Sequence, residues 1–330
     1  MSRLTALGLA LLAVACGESG HSEVRARVTF VGDVLLDSAP GNTIRDGGDP
    51  FASVAQVLTD SDLSIANLEC SVATTGERAY KEYTFRADPR TLTLLKRYVG
   101  VVSLANNHSG DYGPAALTET MKHLTERNIR FFGAGKDSQD AHSPLLVQAR
   151  GVKLGLLGYD EYQPRWFEAG PNRPGVAWSE DEQVVDDIRA ARARGAAVVI
   201  PFMHWGWEEE DEPTPRQRAL AHRMIDAGAD AVVGSHPHRV QGAEIYRDRP
   251  IVYSLGNFVF DLTESDIERL GWLLRVELDE RGVRRWSTLL VRIDSRGSPA
   301  LDRSAWTPCG TRGRVRVGRC LGGDWLSARW

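Results

Sequence analysis

The segment AVVGSHPHRVQG (residues 231–242) is apolar up to Gly234 and then places His236 and His238 on either side of a proline. Pro237 favours extended geometry for the residue before it, and in an extended segment residues two apart point to one side. Two imidazoles so placed can bind one metal ion, or one ion each of a close pair. A polar turn with two solvated histidines would read the same in isolation, so the other apolar runs must decide. RVTFVGD ends at Asp33, LSIANLE at Glu69, VVSLANNH at Asn107 and His108, KLGLLGYD at Asp160, AVVIPFMHW at His204, and IVYSLGNF carries Asn257. Ordinary strand ends need only Gly, Pro, Ser or Asn, whereas nearly every run here closes on a group that binds metal or activates water. Ligand sites in open α/β sheets gather at the carboxyl ends of strands.

Asp33, Glu69, Asn107, His204, His236 and His238 make a mixed oxygen and nitrogen set. It suits Mn, Fe, Zn or Co better than Ca or a thiolate-bound metal. One catalytic ion keeps a position open, so six protein donors point to two ions sharing a carboxylate. Such pairs, about 3.5–4 Å apart, activate water and stabilise charge on attacking and leaving oxygens. The chemistry implied is hydrolysis of a phosphate ester, or less often of an amide.

The elements that must position these residues alternate strand-like runs with helical periodicity, the pattern of an α/β architecture. Val54, Val57 and Leu58 share a helical face, as do Leu117, Met121 and Leu124, then Val184, Val185 and Ile188, then Leu220, Met224 and Ile225. Gly195 and Gly228 stand where helix C-terminal caps belong. LLRVELDERGVRRWSTLLVRI reads as two strands around a turn at residues 279–282, a hairpin that completes a sheet.

The 330 residues suffice for a sizeable core, and 42% apolar with 25% charged residues is ordinary for a soluble globular chain. Net charge is −4, and no basic block is interleaved with aromatics, which argues against nucleic acid as a main partner. The first residues, MSRLTALGLALLAVAC, hold an apolar run too short to span a bilayer and have the form of an export signal. The expected organisation is a lipoprotein-type leader over residues 1–15, lipidation at Cys16 with a polar tether to residue 26, one domain over 27–300, and a tail over 301–330. Location in a bacterial cell envelope, held to the membrane through lipid on Cys16, follows, with periplasmic or secreted protein as the alternative. In an oxidising compartment Cys309 and Cys320 are candidates for a disulfide, and Cys70 is left as a small buried residue.

GD (32–33), NLE (67–69), ANNHSGDYG (105–113), HWGWE (204–208), GSHPH (234–238) and YSLGNFVFD (253–261) together resemble the CapA-type capsule-synthesis proteins. These are associated with poly-γ-glutamate and belong to the calcineurin-like metallophosphatase superfamily; the resemblance runs over residues 28–293. It implies a four-layer α/β/β/α sandwich with two mixed sheets and a dinuclear centre at strand ends. It further implies Asp33 and His238 on a first metal, Glu69 as bridge, and Asn107, His204 and His236 on a second. His108 would protonate the leaving group, oriented by Asp111. Two departures stand out: Leu35 occupies the place of an imidazole in the superfamily's first motif, and Glu69 replaces an aspartate. The implied substrate is a phosphoester or an anionic polymer, with capsule-synthesis proteins as partners.

Around this set, Asn67, Glu208 and Asn257 are candidates for substrate contact or for support of the ligands, Asn257 equally for capping a turn. Asp160 and Glu161 either line the cleft or serve the fold. Trp205 and Trp207 read as packing or rim, residues 208–212 as a solvated acidic run, and His123 and His222 as surface. A non-catalytic reading competes with the hydrolase: a lipoprotein that holds an anionic capsule polymer through its metal site. An amidase acting on a γ-glutamyl bond would differ from the phosphoesterase only in substrate.

Overall fold

The computed structural model describes residues 25–263 and 265–329. The leader, most of the tether and Cys16 therefore lie outside the described residues. Among those described, no helix is long and apolar enough to cross a membrane.

The first half of the chain lays down parallel strands β1 (Ala26–Val34), β2 (Leu63–Leu68), β3 (Val101–Ser103) and β4 (Arg130–Phe132) side by side. Their continuous apolar runs suit strands covered on both faces. A second sheet follows from β5 (Leu145–Ala149), β6 (Val152–Asp160), β7 (Val198–His204), β8 (Val232–Ser235), β9 (Val240–Tyr246) and β10 (Arg249–Leu255), ordered β9-β10-β8-β7-β6-β5. The chain then returns to the first sheet. β11 (Asn257–Val259) lies parallel to β1, and β12 (Leu270–Asp279) and β13 (Gly282–Ile293) form the hairpin anticipated from the sequence, β12 antiparallel to β1. Gly282 closes its turn with φ +107°, a conformation open to glycine.

Between the sheets, Val28, Phe30, Ile65 and Val101 meet Leu154, Leu156, Ile200, Phe202 and Val233 in one buried cluster. Outside the first sheet, α1 (Gly113–Glu126) buries Leu117 and Leu124 against Ala66, Val102 and Leu104. Outside the second, α2 (Asp181–Ala193) and α3 (Pro215–Asp226) bury Val184, Ile188, Leu220 and Met224 against Leu157, Val199 and Val232. The order is helix, sheet, sheet, helix. α3 starts with Pro215 and a capping box in which Thr214 and Gln217 satisfy each other's backbone N–H. Gly195 and Gly228 follow α2 and α3 with positive φ, as capping glycines do. The helix anticipated around Val54, Val57 and Leu58 is only a 3-10 turn and the short helix Ala55–Thr59.

The tail is not separate. β14 (Pro299–Asp302) and β15 (Trp306–Thr311) pair with β13, and β16 (Gly318–Leu321) pairs with β15. The boundary anticipated at residue 300 thus falls inside the sheet, because the long β13 would otherwise present an open edge that strands from the tail cover. A disulfide joins Cys309 to Cys320, and Cys70 is free and buried.

Candidate metal centre

The ligand candidates converge from both sheets. Asp33 closes β1, Glu69 follows β2, and Asn107 and His108 lie in the loop after β3; His204 ends β7, and His236 and His238 follow β8. Register brings them level: Asp33 stands opposite Asn67 and Asn257, and His204 opposite Ser235. The extended geometry expected of the His-Pro-His stretch is not found. β8 stops at Ser235, and His236 and His238 take φ of 101° and 57°. The stretch is a turn, tied down where Pro237 accepts from the Glu209 N–H (3.0 Å) and Ser235 from the Trp205 N–H (3.2 Å). Non-glycine residues hold such φ values only where surroundings impose them. The two rings still meet at one centre, 6.1 Å apart, with His236 4.5 Å from His204.

Asp33, Glu69, His204 and His236 are essentially without exposure. One ligand atom from each of Glu69, His204 and His236 falls within 4.8 Å of the others, and the same holds for Asp33, Glu69 and His238. Glu69 is common to both groups, as a bridging carboxylate would be. Asp33 Oδ2, both oxygens of Glu69, and His236 Nδ1 are buried with no hydrogen-bond partner. Buried polar groups are normally satisfied, so orphaned acceptors facing imidazoles are the arrangement a cation would complete. The residues present fit a divalent transition metal centre.

A hydrogen-bonded shell fixes these groups. Asn67 Nδ2 donates to Asp33 Oδ1 (2.8 Å) and faces His204 Nδ1 (3.2 Å), while its Oδ1 accepts from Asn106 (2.9 Å). Ser235 donates to Asp33 in a short bond. Asn107 Oδ1 lies 3.0 Å from His204 Nε2. His238 Nδ1 donates to Asn257 Oδ1 (2.8 Å), and Asn257 Nδ2 donates to the Glu268 carbonyl (3.0 Å). Asn257 is fully buried and holds His238 through its Nδ1, which also lies 3.4 Å from Asp33 Oδ2.

Electrostatics follow from this crowding. Burial pushes the Glu69 carboxyl well up, and Asp33 adds to the effect. Burial would raise Asp33 too, but the His238 imidazole 3.4 Å from Oδ2, with Ser235 and Asn67 donating to Oδ1, brings it below its ordinary value. Burial and the other imidazoles hold His204 low and His236 at about 3. Burial opposes protonation of His238 as well, yet Glu69, Asp33 and Asn257 lift it to about 10.

Beside the centre, His108 Nδ1 donates to Asp111 Oδ2 (2.8 Å), and Phe85 covers the imidazole at 4.3 Å between rings. Burial holds His108 at about 4 despite Asp111. A cavity of about 260 Å³ opens here, lined among others by Tyr83, Phe85, His108, Glu208, His238 and Phe260. Asp160 is buried and pushed up to about 7 by desolvation, and Glu161 pairs with Arg216 (2.7 Å). Trp205 is core, its Nε1 bonded to the Tyr253 carbonyl, whereas Trp207 is exposed.

Sequence reasoning missed three residues. Lys81 pairs with Asp111 Oδ1 (2.5 Å) and donates to the Asn107 carbonyl (2.9 Å), and nothing in its polar loop marks it. Asn106 and Ser235 both lie inside the quoted motifs and are the polar residues next to ligands; that adjacency was the available signal.

The two mixed sheets thus converge carboxylates and imidazoles at their strand ends. Residues 27–262 match the family described as bacterial capsule synthesis protein PGA_cap, and the chain belongs to that family. It is 35% identical over 247 residues to the PGA biosynthesis protein CapA of Bacillus subtilis (strain 168), covering 73% of this chain and 65% of that one. It is 32% identical over 244 residues to the capsule biosynthesis protein CapA of Bacillus anthracis, covering 71% and 59%. The chain thus spans less than two thirds of these relatives' length. Among solved structures, a hypothetical protein from Thermus thermophilus aligns over 87% of this chain and 99% of its own, with TM-score 0.49 and 18% identity. The NAD nucleotidase NadN of Haemophilus influenzae aligns over 84% and 54%, with TM-score 0.46 and 13% identity.

Proposed function

We propose that the protein is a metal-dependent hydrolase of the metallophosphatase type that serves capsule or poly-γ-glutamate synthesis from the cell envelope, held there by lipid on Cys16. The observation that carries the catalytic half is the set of orphaned, buried carboxylate oxygens shared between two imidazole groups. Asp33 and His238 would hold one ion, Asn107, His204 and His236 the other, with Glu69 between. Two such ions, of Mn, Fe or Zn type, supply Lewis acidity and water activation when bound.

The chain's own residues do the rest. Asn67, Ser235 and Asn257 keep the ligand side chains in place before any ion arrives. Asp111, held by Lys81, fixes His108 with its proton on Nδ1, so that Nε2 faces the cavity. His108 is neutral in the free protein, and an entering anionic group raises its proton affinity. It takes up a solvent proton at Nε2 and passes that proton to the departing oxygen or nitrogen, returning to the neutral Nδ1–H form. Phe85 and Phe260 exclude water from that transfer.

The test is metal content per chain of the purified protein beside a His236→Ala variant, followed by hydrolysis of phosphoesters and γ-glutamyl amides. About two ions, lost or halved in the variant, with turnover of either substrate class, is the expected result. His108→Ala should lower turnover by about 10²–10⁴-fold with metal content unchanged. Turnover that survives that change refutes the role of His108. Metal without turnover, with salt-sensitive polymer binding, would favour the polymer-holding lipoprotein instead. Cys16→Ser should move the protein from membrane to soluble fractions.

A further inference from the structure

One position of the centre is short of a donor. Leu35, two residues after Asp33, is wholly buried in the apolar cluster under the first sheet and offers no ligand atom. Asp33 and His238 are left with an orphaned Asp33 oxygen between them and solvent-side space in the adjoining cavity.

Glu208 reaches that space. One of its carboxylate oxygens lies within 4.8 Å of a nitrogen of His236 and a nitrogen of His238, which are within 4.8 Å of each other. Three of its neighbours in the acidic run are paired elsewhere. Glu209 and Asp211 pair with Arg239, and Glu212 with Arg218. Glu208, next to them, turns its carboxylate to the histidines and the cavity. The loop that carries it is fastened to the histidine turn on both sides, by the Trp205–Ser235 and Glu209–Pro237 backbone bonds. The independent sign of a ligand is the unpartnered His236 Nδ1 and Asp33 Oδ2, on residues that are at least 99% buried.

We propose that Glu208 is a further protein ligand of the centre, supplied from the loop after β7 to the side of it formed by His236 and His238. The proposal rests on the metal-centre reading above. A carboxylate there adds a negative charge to those of Asp33 and Glu69. It hardens that position, which favours Mn or Fe over softer ions there. Because Glu208 is exposed, its replacement leaves the fold intact.

The test titrates Mn²⁺ and Zn²⁺ into the chelator-treated protein by calorimetry, with mass-spectrometric metal counts, for wild type, Glu208→Gln and Glu210→Gln. Glu210→Gln removes the same charge from the same acidic run. Expected is a wild-type count that Glu210→Gln keeps, while Glu208→Gln loses one ion or binds its weaker ion at least tenfold less tightly. Unchanged count and affinity in Glu208→Gln overturn the ligand role and leave the centre standing. Equal losses in both variants overturn it too, since bulk charge would then be the cause. Absence of metal from wild type itself removes both readings. Melting temperatures in chelator, expected to agree across the three proteins, separate lost binding from lost folding.

Discussion

Replacing Glu69 by Gln should stabilise the metal-free protein and destabilise the metal-loaded one. Glu69 has no exposure, neither oxygen has a hydrogen-bond partner, and the Asp33 carboxylate lies close enough to raise its pKa further. An unsatisfied buried polar group costs about 1–3 kcal/mol, more when charged. Glu69→Gln keeps the shape, removes the charge, and places an amide donor within reach of Asp33. A gain of about 2 kcal/mol is expected in chelator, roughly 3 °C in melting temperature for a chain of this size. With metal the order reverses, because an ion at a thousandfold excess over its Kd adds about 4.1 kcal/mol to wild type alone. The pH dependence has a definite sign. A carboxyl whose folded pKa is raised costs stability above its unfolded value, so the gap in chelator should open as pH rises from about 4.5 and vanish below it. Calorimetric scans with chelator and with Mn²⁺, from pH 4 to 8, read both effects. A variant less stable than wild type in chelator would mean that Glu69 is a structural acceptor, and the preformed-ligand argument would fall.

Asn257→Leu should leave His238 without its orienting acceptor and weaken metal binding by about 10–100-fold in calorimetric titration; unchanged affinity would show that the ring is fixed otherwise. Gly234→Ala would put a Cβ 2.0 Å from the Tyr253 carbonyl oxygen and 2.4 Å from Trp205 Nε1, so a loss of about 3 kcal/mol is expected in denaturant melts, with a soluble, wild-type-like variant as the contrary result. Glu119 accepts from the backbone and hydroxyl groups of Thr74 and Thr75. Burial opposes these bonds, yet they hold its pKa at about 2, so its contribution is full above pH 4.5 and fades as pH falls toward 2. Glu119→Gln should therefore cost about 1 kcal/mol at neutral pH and nothing at pH 2, read from thermal melts across that range.

The sequence exposed the centre because strand ends are local: Asp33, Glu69, Asn107, His204 and His236 each terminate or follow an apolar run that can be seen without knowing its neighbours. The dyad of His108 and Asp111 was legible for the same reason, lying three residues apart in one loop. Long-range partnerships were not. Asn257 and His238 are 19 residues apart and meet only through sheet pairing, and Lys81 reaches Asp111 from a loop with no periodicity. The turn at His236 overrode the extended preference that Pro237 imposes, since the loop is bonded to two other segments. The tail misled for a related reason: Gly- and Arg-rich composition hides strands whose stability comes from the edge they cover.

The ligands are divided between two sheets that are separate in the chain, Asp33 and Glu69 early, His204 to His238 late. Asp33 and Glu69 lie far along the chain from His204, His236 and His238, so the full set comes together only when the two sheets pack. Phe30 and Phe202, one from each sheet, touch edge to face at 6.0 Å across that packing. Metal selection is thereby deferred to the moment after folding, and the ion that enters is drawn from the pool of whichever compartment the chain folds in. Affinity alone ranks copper and zinc above manganese and iron. Under the proposed function, the same polypeptide matured in two compartments would carry two different metals, and its metal content would report where it folded.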